Sequence, residues 1–118
     1  MQNLDVECAK LGRALAQLDK VDDKLTSALS VLEEQGVYAC FLFLNAQGKD
    51  AGRKVSDELA GFLRKVPAGS PLLGNGDLFN ALQALAGDLD KLLFARDLLR
   101  QALVYGRYHA KAREAKAR

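Results

Sequence analysis

The chain has few of the residues that build metal sites and disulfide frameworks. Among its 118 residues there are two cysteines, one histidine and no tryptophan. Cys8 and Cys40 are far apart, and neither stands at zinc-ligand spacing from a histidine, so nothing in their spacing indicates a disulfide framework or a zinc site. We therefore expect no metal and no cofactor, and reduced thiols in a cytoplasmic compartment.

Long apolar runs are also missing from the chain. No stretch reaches the roughly 18 uninterrupted apolar residues that a membrane helix needs. Residues 1–5 lack the basic and apolar regions of a signal peptide, so we expect no leader and no membrane partner. A length of 118 residues, with about half of them apolar, predicts one globular domain over residues 1–118. Residues 112–118 are expected to form a frayed tail.

Catalytic residue patterns are equally scarce. His109 stands between the cations Arg107 and Lys111, with no carboxylate one helical turn away to orient its ring. No serine occurs in a nucleophile elbow, and the glycine-bearing loop over 69–76 has no lysine after its last glycine to hold a phosphate. Three acidic pairs occupy positions typical of helix caps or solvated faces: Asp22/Asp23, Glu33/Glu34 and Asp88/Asp90. We predict that the protein is not an enzyme.

Hydrophobic spacing in the first part of the chain predicts helices. Apolar residues recur every four and three positions from Leu4 to Leu32, with one polar interruption at Asp22. This pattern predicts one helix over about residues 3–34, which a turn near 19–23 would split. Residues 37–44 are apolar throughout, so periodicity does not distinguish helix from strand. A lone strand would have no partner, and a short buried helix is therefore predicted.

The second part of the chain predicts three more helices around one loop. An amphipathic helix is expected over 53–64, and Pro and Gly mark a loop over 67–76. Asp77 is a suitable N-cap for a helix over 78–86, and a last helix is expected over about 88–113. Its predicted buried face consists of Leu89, Leu92, Leu93, Leu99, Ala102 and Leu103. The fold class is therefore all-α, a compact bundle of about five helices with a long N-terminal and a long C-terminal helix.

The net charge of +2 conceals an uneven distribution. Residues 1–90 carry nine Lys/Arg and thirteen Asp/Glu (9 − 13 = −4), whereas residues 91–118 carry eight and two (8 − 2 = +6). Helical geometry places four cations within about 20° of one line and a fifth about 40° from it. These are Arg100, Arg107, Lys111 and Arg118, followed by Arg96. A second set lies within an arc of about 80° opposite the leucines of the first helix. It consists of Lys10, Arg13, Lys20 and Lys24.

Regularly spaced cations along a helix suit a nucleic-acid backbone, because they neutralise successive phosphates and release counterions. An ordinary solvated helix face gives the same pattern, so both interpretations stay open. Tyr105 and Tyr108 are the only candidates for stacking on unpaired bases, and Tyr105 is expected to be buried. This scarcity favours contacts with backbone shape over base readout.

Two stretches resemble the small all-helical subunit of type III CRISPR effector complexes. The first is 28–44, a helix ending in Gln-Gly followed by a very apolar helix. The second is 92–99 with its continuation 102–111, which looks like the C-terminal helix of such a subunit. Its most distinctive piece is the tetrapeptide Tyr-His-Ala-Lys at 108–111. Together the two stretches cover less than half of the chain.

The resemblance implies a non-catalytic role in RNA-guided antiviral defence. Such subunits stack in several copies along the effector complex, contact the backbone of the duplex between crRNA and target RNA, and touch the larger subunits. Carried onto this sequence, the implied nucleic-acid-binding residues are the two cationic sets, without Arg118: Arg96, Arg100, Arg107, Lys111, Lys10, Arg13, Lys20 and Lys24. The alternative is a helical adaptor or dimerisation module without nucleic acid, in which the leucine positions of the first helix form the interface.

Overall fold

Six α-helices make up the fold in the computed structural model, which describes residues 3–47 and 49–117, and side chains as far as residue 114. In chain order they are α1 (Leu4–Ala16), α2 (Asp22–Gln35), α3 (Val37–Ala46), α4 (Lys49–Leu63), α5 (Leu78–Ala86) and α6 (Leu89–Ala117). No strand occurs among the described residues. The all-α prediction is confirmed, with six helices instead of about five. None of the described helices is both long enough and apolar enough to cross a lipid bilayer.

The predicted N-terminal helix is split into two helices by a turn at 17–21, which overlaps the turn near 19–23 that the sequence analysis allowed. α1 starts at the N-cap Asn3, whose side-chain oxygen accepts a hydrogen bond from the Val6 N–H, and it ends at Ala16. Lys20 then adopts a left-handed backbone conformation with φ of +57°, which interrupts the helix before α2 begins. The leucine spacing does not reveal this break, because Val21 and Leu25 are fully buried just beyond it.

The longest helix, α6, lies between α1 and α2. Cys8 of α1 donates its thiol hydrogen to the Leu98 carbonyl oxygen, and Gly12 packs on the backbone at Ala102. The residue that α1 contacts on α6 has a higher number the further one moves along α1, so the two helices run in the same direction. On the other flank Glu33 meets Arg100, while Asp22 lies near Lys111, so α2 runs opposite to α6.

Helix α3 confirms the prediction for the apolar run. Its residues Val37, Cys40, Phe41 and Leu44 are buried. Gly36 links α2 to α3 with φ of +98°, a conformation that side-chain-bearing residues rarely adopt, as expected from its place after the leucine pattern. The short helix can be this apolar because it contacts α2, α4, α5 and α6.

The remaining elements follow the predicted order. α4 begins at Lys49, four residues before its predicted start, and the loop over 67–76 is confirmed as irregular. Arg64 ties that loop to α4 by donating to the carbonyl oxygens of Gly74 (3.0 Å) and Gly76 (2.8 Å). Asp77 caps α5 as predicted, accepting a hydrogen bond from the Asn80 N–H at 3.1 Å.

The buried face of α6 was predicted correctly only in its central part. Leu99, Ala102 and Leu103 are fully buried, whereas Leu89 is 65% and Leu93 is 45% exposed. The last turn of α2 meets α6 near Arg100. The first turns of α6, which carry Leu89 and Leu93, therefore extend beyond the end of α2 and are not covered by it. The helix also continues to Ala117, past its predicted end near 113. The predicted fraying of the tail stays a prediction.

Candidate nucleic-acid interface

The cations predicted on the C-terminal helix do share one continuous helix. Arg96, Arg100, Arg107 and Lys111 all belong to α6, so their common line is preserved. Arg100 and Lys111 are exposed, and Arg96 and Arg107 are half-buried. Arg118 lies outside the described residues. Arg100, Arg107 and Lys111 of this line lie next to α2, so the charged side chains of α2 are their neighbours.

Carboxylates lie opposite much of this line. The Arg100 guanidinium donates from Nε to the Glu33 carboxylate at 2.9 Å, with both side chains about half exposed. Further along, the groove between α2 and α6 has two cations and two acids in its lining. The lining comprises Asp22, Leu25, Thr26, Arg107, Ala110, Lys111 and Glu114. A phosphate approaching this groove would therefore meet charges of both signs.

The second predicted set does not form a stripe. The 80° arc assumed one helix, but Lys10 and Arg13 lie on α1, Lys20 lies in the turn and Lys24 lies on α2. Lys10 also approaches Glu7 at 3.8 Å and lines a groove that includes Asp57 and Glu58 of α4. The assumption that these four cations lie on one continuous helix is wrong, because the helix breaks at residues 17–21. Their predicted contact with nucleic acid stays a prediction.

A different grouping of cations forms where α1 ends beside α6. A cleft of about 360 Å³ is lined by Arg13, Ala16, Gln17, His109, Ala112 and Arg113. Arg13 comes from the last turn of α1, and His109 and Arg113 are one turn apart on α6. They meet because the two helices run in the same direction. No carboxylate lines this cleft, and in the described part of the chain Arg13 and Arg113 have no ion-pair partner.

The turn between α1 and α2 extends this basic surface. Arg113 lines a second depression together with Lys20, Asp22 and Asp23. We call Arg13, Lys20, His109 and Arg113 the basic pole of the molecule. The two aspartates of this depression lie in the first turn of α2 and are not among the residues that line the cleft. Arginine and lysine of this density, facing solvent, are suited to holding phosphate oxygens.

Two members of this surface, His109 and Arg113, are not among the predicted binding residues. Arg113 was assigned to a frayed tail, and His109 was considered only as a catalyst. Their spacing of four residues on one helix was visible in the sequence, and it places them on one face. Their meeting with Arg13 depends on the packing of α1 on α6, which no local pattern encodes.

The two tyrosines of α6 have different surroundings. Tyr105 is half-buried, as its predicted core position suggested, and its hydroxyl donates to the Asp5 carboxylate at 2.9 Å. Tyr108 is 67% exposed. Only Tyr108 therefore has a ring free to contact another molecule.

The thiols lack the surroundings of reactive cysteines. Burial raises the pKa of the Cys40 thiol to about 12. Burial, followed by the charges of Asp5 and Glu7, raises the pKa of the Cys8 thiol to about 11. Both groups therefore stay protonated near neutral pH and are poor nucleophiles. The described residues also contain no group of three or more His, Cys, Asp or Glu placed to hold a metal ion.

No protein-family model matches the chain, and no curated protein or solved structure is significantly similar to it. No comparison therefore bears on the expected resemblance to a CRISPR subunit, and any function has to be inferred from the residues of the chain itself.

Proposed function

We propose that the chain is a non-catalytic small subunit of a type III CRISPR RNA-guided effector complex in the cytoplasm. In this role it contacts the backbone of crRNA and target RNA and stabilises the assembly in antiviral defence. The observation that supports the proposal most directly is the basic pole. There Arg13 of α1 meets His109 and Arg113 of α6 around a cleft that no carboxylate lines, and Lys20 lies in an adjoining depression that also contains Asp22 and Asp23.

The basic pole suits phosphate contacts better than the line on α6 does. Arg100 already has a carboxylate partner, so a phosphate would have to displace Glu33. Arg13 and Arg113 have only solvent to replace within the described structure, and a guanidinium binds two phosphate oxygens at once. Such contacts are independent of base sequence. Specificity would come from base pairing between guide and target, as in other RNA-guided systems.

Exposed apolar side chains support a further part of this proposal, contact with larger subunits or with further copies of the chain. Leu89 and Leu93 on α6 and Leu42 on α3 are each 45–65% exposed. Apolar side chains that stay exposed in one chain are a feature of protein contact sites when they adjoin each other. Leu89 and Leu93 lie on the half of α6 remote from the basic pole, so protein contacts at these two residues would not compete with RNA contacts at the pole.

The same leucines favour a second candidate, an adaptor that binds proteins and no nucleic acid. The interface originally expected for an adaptor is not accessible, because Cys8, Leu11 and Leu15 are buried against the rest of the chain. An adaptor would have to use α6 and α3 instead. The two candidates differ in whether the basic pole binds RNA.

The proposal is tested by measuring RNA binding to a variant with reversed charges at the basic pole. The variant is Arg13→Glu with Arg113→Glu, and the matched control is Lys54→Glu with Lys91→Glu. The control changes the net charge equally, and Lys91 is about 33 Å from Arg113 along α6. Fluorescence anisotropy with a labelled RNA duplex at low salt should show about tenfold or greater weakening for the pole variant, and much less for the control.

Equal weakening in both variants would mean that RNA responds only to total charge, and the basic pole would lose its assignment. Failure of the unaltered protein to bind RNA even at low salt would favour the adaptor. Circular dichroism of each variant checks that the helices persist.

A further inference from the structure

The cleft of the basic pole contains a side chain of the type that ordinarily changes its charge near neutral pH. His109 is the single histidine of the chain, and it lines the cleft together with Arg13 and Arg113. We propose that His109 is a pH-dependent third cation of this cleft, so that the cleft holds RNA phosphate more tightly at lower pH. This inference rests on the proposed function in one respect, because both place an RNA phosphate in the cleft.

His109 comes close to both arginines of the cleft. It stands one helical turn before Arg113 on α6, a spacing that makes two side chains neighbours on a helix surface. Arg13 reaches the same cleft from the last turn of α1. His109 is exposed, and no hydrogen bond or ion pair within the described residues occupies its ring. Its ring nitrogens are therefore available to a phosphate that lies between the arginines.

No carboxylate competes with a phosphate for the imidazole inside the cleft. From α1 the lining contains Arg13 and the uncharged Gln17, and from α6 its charged member besides the imidazole is Arg113. Tyr105, one turn earlier on α6, donates its hydroxyl hydrogen to the Asp5 carboxylate, and neither of these residues lines the cleft. A proton taken up by the imidazole therefore adds its charge to a site that attracts anions.

The other charged groups nearby line different depressions. Arg107 and Lys111 are each two positions from His109, so helical geometry turns them about 160° away from it. Both line the groove between α2 and α6, together with Glu114. The depression beside the cleft contains one cation of the turn and two acids of α2: Lys20, Asp22 and Asp23. The imidazole lines neither of these two depressions, so its charge acts mainly within the cleft.

Protonation changes what the ring can offer to a phosphate. A neutral imidazole has one N–H donor and no charge, whereas the protonated ring has two donors and a positive charge. Histidine ordinarily makes this change between about pH 5 and 8, where arginine and the phosphodiester both keep their charges. A phosphate in the cleft favours the charged ring, and by linkage the charged ring binds phosphate more tightly.

The test compares RNA binding at two pH values. A labelled RNA duplex is titrated with the full chain at about pH 5.5 and about pH 8, over a range of salt concentrations. At low salt we expect binding to be about three- to tenfold tighter at the lower pH, because one charge-assisted hydrogen bond is added. The slope of the logarithm of affinity against the logarithm of salt should steepen by about 0.7–0.9 at the lower pH, since one more cation releases counterions.

Two substitutions of His109 separate the charge of the ring from every other effect of pH. His109→Gln keeps a hydrogen-bonding side chain without a charge, and it should bind at both pH values as the unaltered protein does at the higher one. His109→Lys carries a charge at both pH values, and it should bind at both nearly as tightly as the unaltered protein does at the lower one. Circular dichroism checks that the helices persist in both variants.

Equal affinity of the unaltered protein at the two pH values would overturn the inference, and so would a pH response that persists in His109→Gln. The proposed function survives either result if RNA binding stays salt-dependent and is weakened in the Arg13→Glu, Arg113→Glu variant. Failure of the unaltered chain to bind the duplex at either pH at low salt would contradict both.

Discussion

At the scale of single residues, the close approach of α1 to α6 depends on the absence of a side chain at Gly12. A Cβ built there would lie 2.5 Å from the Tyr105 Cβ and 2.8 Å from the Gly106 backbone nitrogen. Neither atom is the end of a flexible side chain, so the helices would have to separate. Arg13 directly follows Gly12, so the same close approach brings Arg13 beside α6, where it lines the cleft together with Arg113.

Gly12→Ala should therefore destabilise the protein by about 1–3 kcal/mol, the usual cost of overpacking. Gly61→Ala is the matched control, because a Cβ at Gly61 of α4 meets nothing within 4 Å. The control should be neutral, or more stable by up to about 1 kcal/mol, since alanine favours helix. Urea denaturation followed by circular dichroism measures both, and equal stability of the two variants would refute the close contact.

The buried thiols give a second residue-level prediction, concerning pH and accessibility. The folded state holds the thiol protons more tightly than the unfolded chain, with the pKa of Cys40 raised from 9.0 to about 12. The thiols' contribution to the free energy of unfolding is thus constant below pH 9 and is lost as the pH rises towards about 12. A disulfide reagent at pH 8 should label neither cysteine quickly, and both in denaturant. Rapid labelling of the native protein would contradict the burial.

At the scale of elements, local signals predicted the helices whose ends are set by local chemistry. The start of α5 at Asp77 and the link at Gly36 are examples, because a capping carboxylate and a glycine with positive φ act on their immediate neighbours. The break at Lys20 was predicted only as an alternative, a turn near 19–23, because a lysine does not by itself signal a left-handed turn residue. It adopts its left-handed conformation because α1 and α2 must pack on opposite flanks of α6.

Removing the N-cap Asp77 tests whether local chemistry sets the start of α5. Asp77→Ala leaves the Asn80 N–H without its acceptor and should destabilise the protein by about 0.5–2 kcal/mol. Asp57→Ala removes an exposed carboxylate from the interior of α4 and should have little effect. Thermal melting of both variants is the measurement. A cap variant as stable as the Asp57→Ala variant would show that α5 is held by tertiary packing alone.

The candidate site was predicted only in part, because it depends on how the helices pack against one another. The line of cations on α6 follows from helical periodicity and was found where expected. Its pairing with Glu33, and the cleft between Arg13 and Arg113, depend on which helices flank α6 and in which direction they run. Sequence spacing within one helix contains neither piece of information.

At the scale of the whole molecule, charge is distributed unevenly along α6. The basic pole lies near the C-terminal end of this helix, whereas Asp88 and Asp90 lie at its start. The molecule extends 46 Å along its longest axis. RNA would consequently be expected to approach one end of the molecule only.

This arrangement predicts how binding responds to salt. The basic pole offers Arg13, Lys20 and Arg113, so about three phosphates would be neutralised and the logarithm of affinity should fall with a slope of about −2 to −3 against the logarithm of salt. Isothermal titrations over a range of salt concentrations give the slope. Lys20→Ala should reduce its magnitude by about 0.7–0.9, and an unchanged slope would remove Lys20 from the interface.

The central claim is tested most directly by co-purification of the tagged protein from the cells in which it naturally occurs, at moderate salt, with identification of the bound RNA and proteins. The account predicts recovery of large CRISPR subunits together with short repeat-derived RNA, and loss of that RNA or of the assembly in the Arg13→Glu, Arg113→Glu variant. Recovery of the protein alone, or with other proteins and no RNA, would contradict the claim and favour the adaptor.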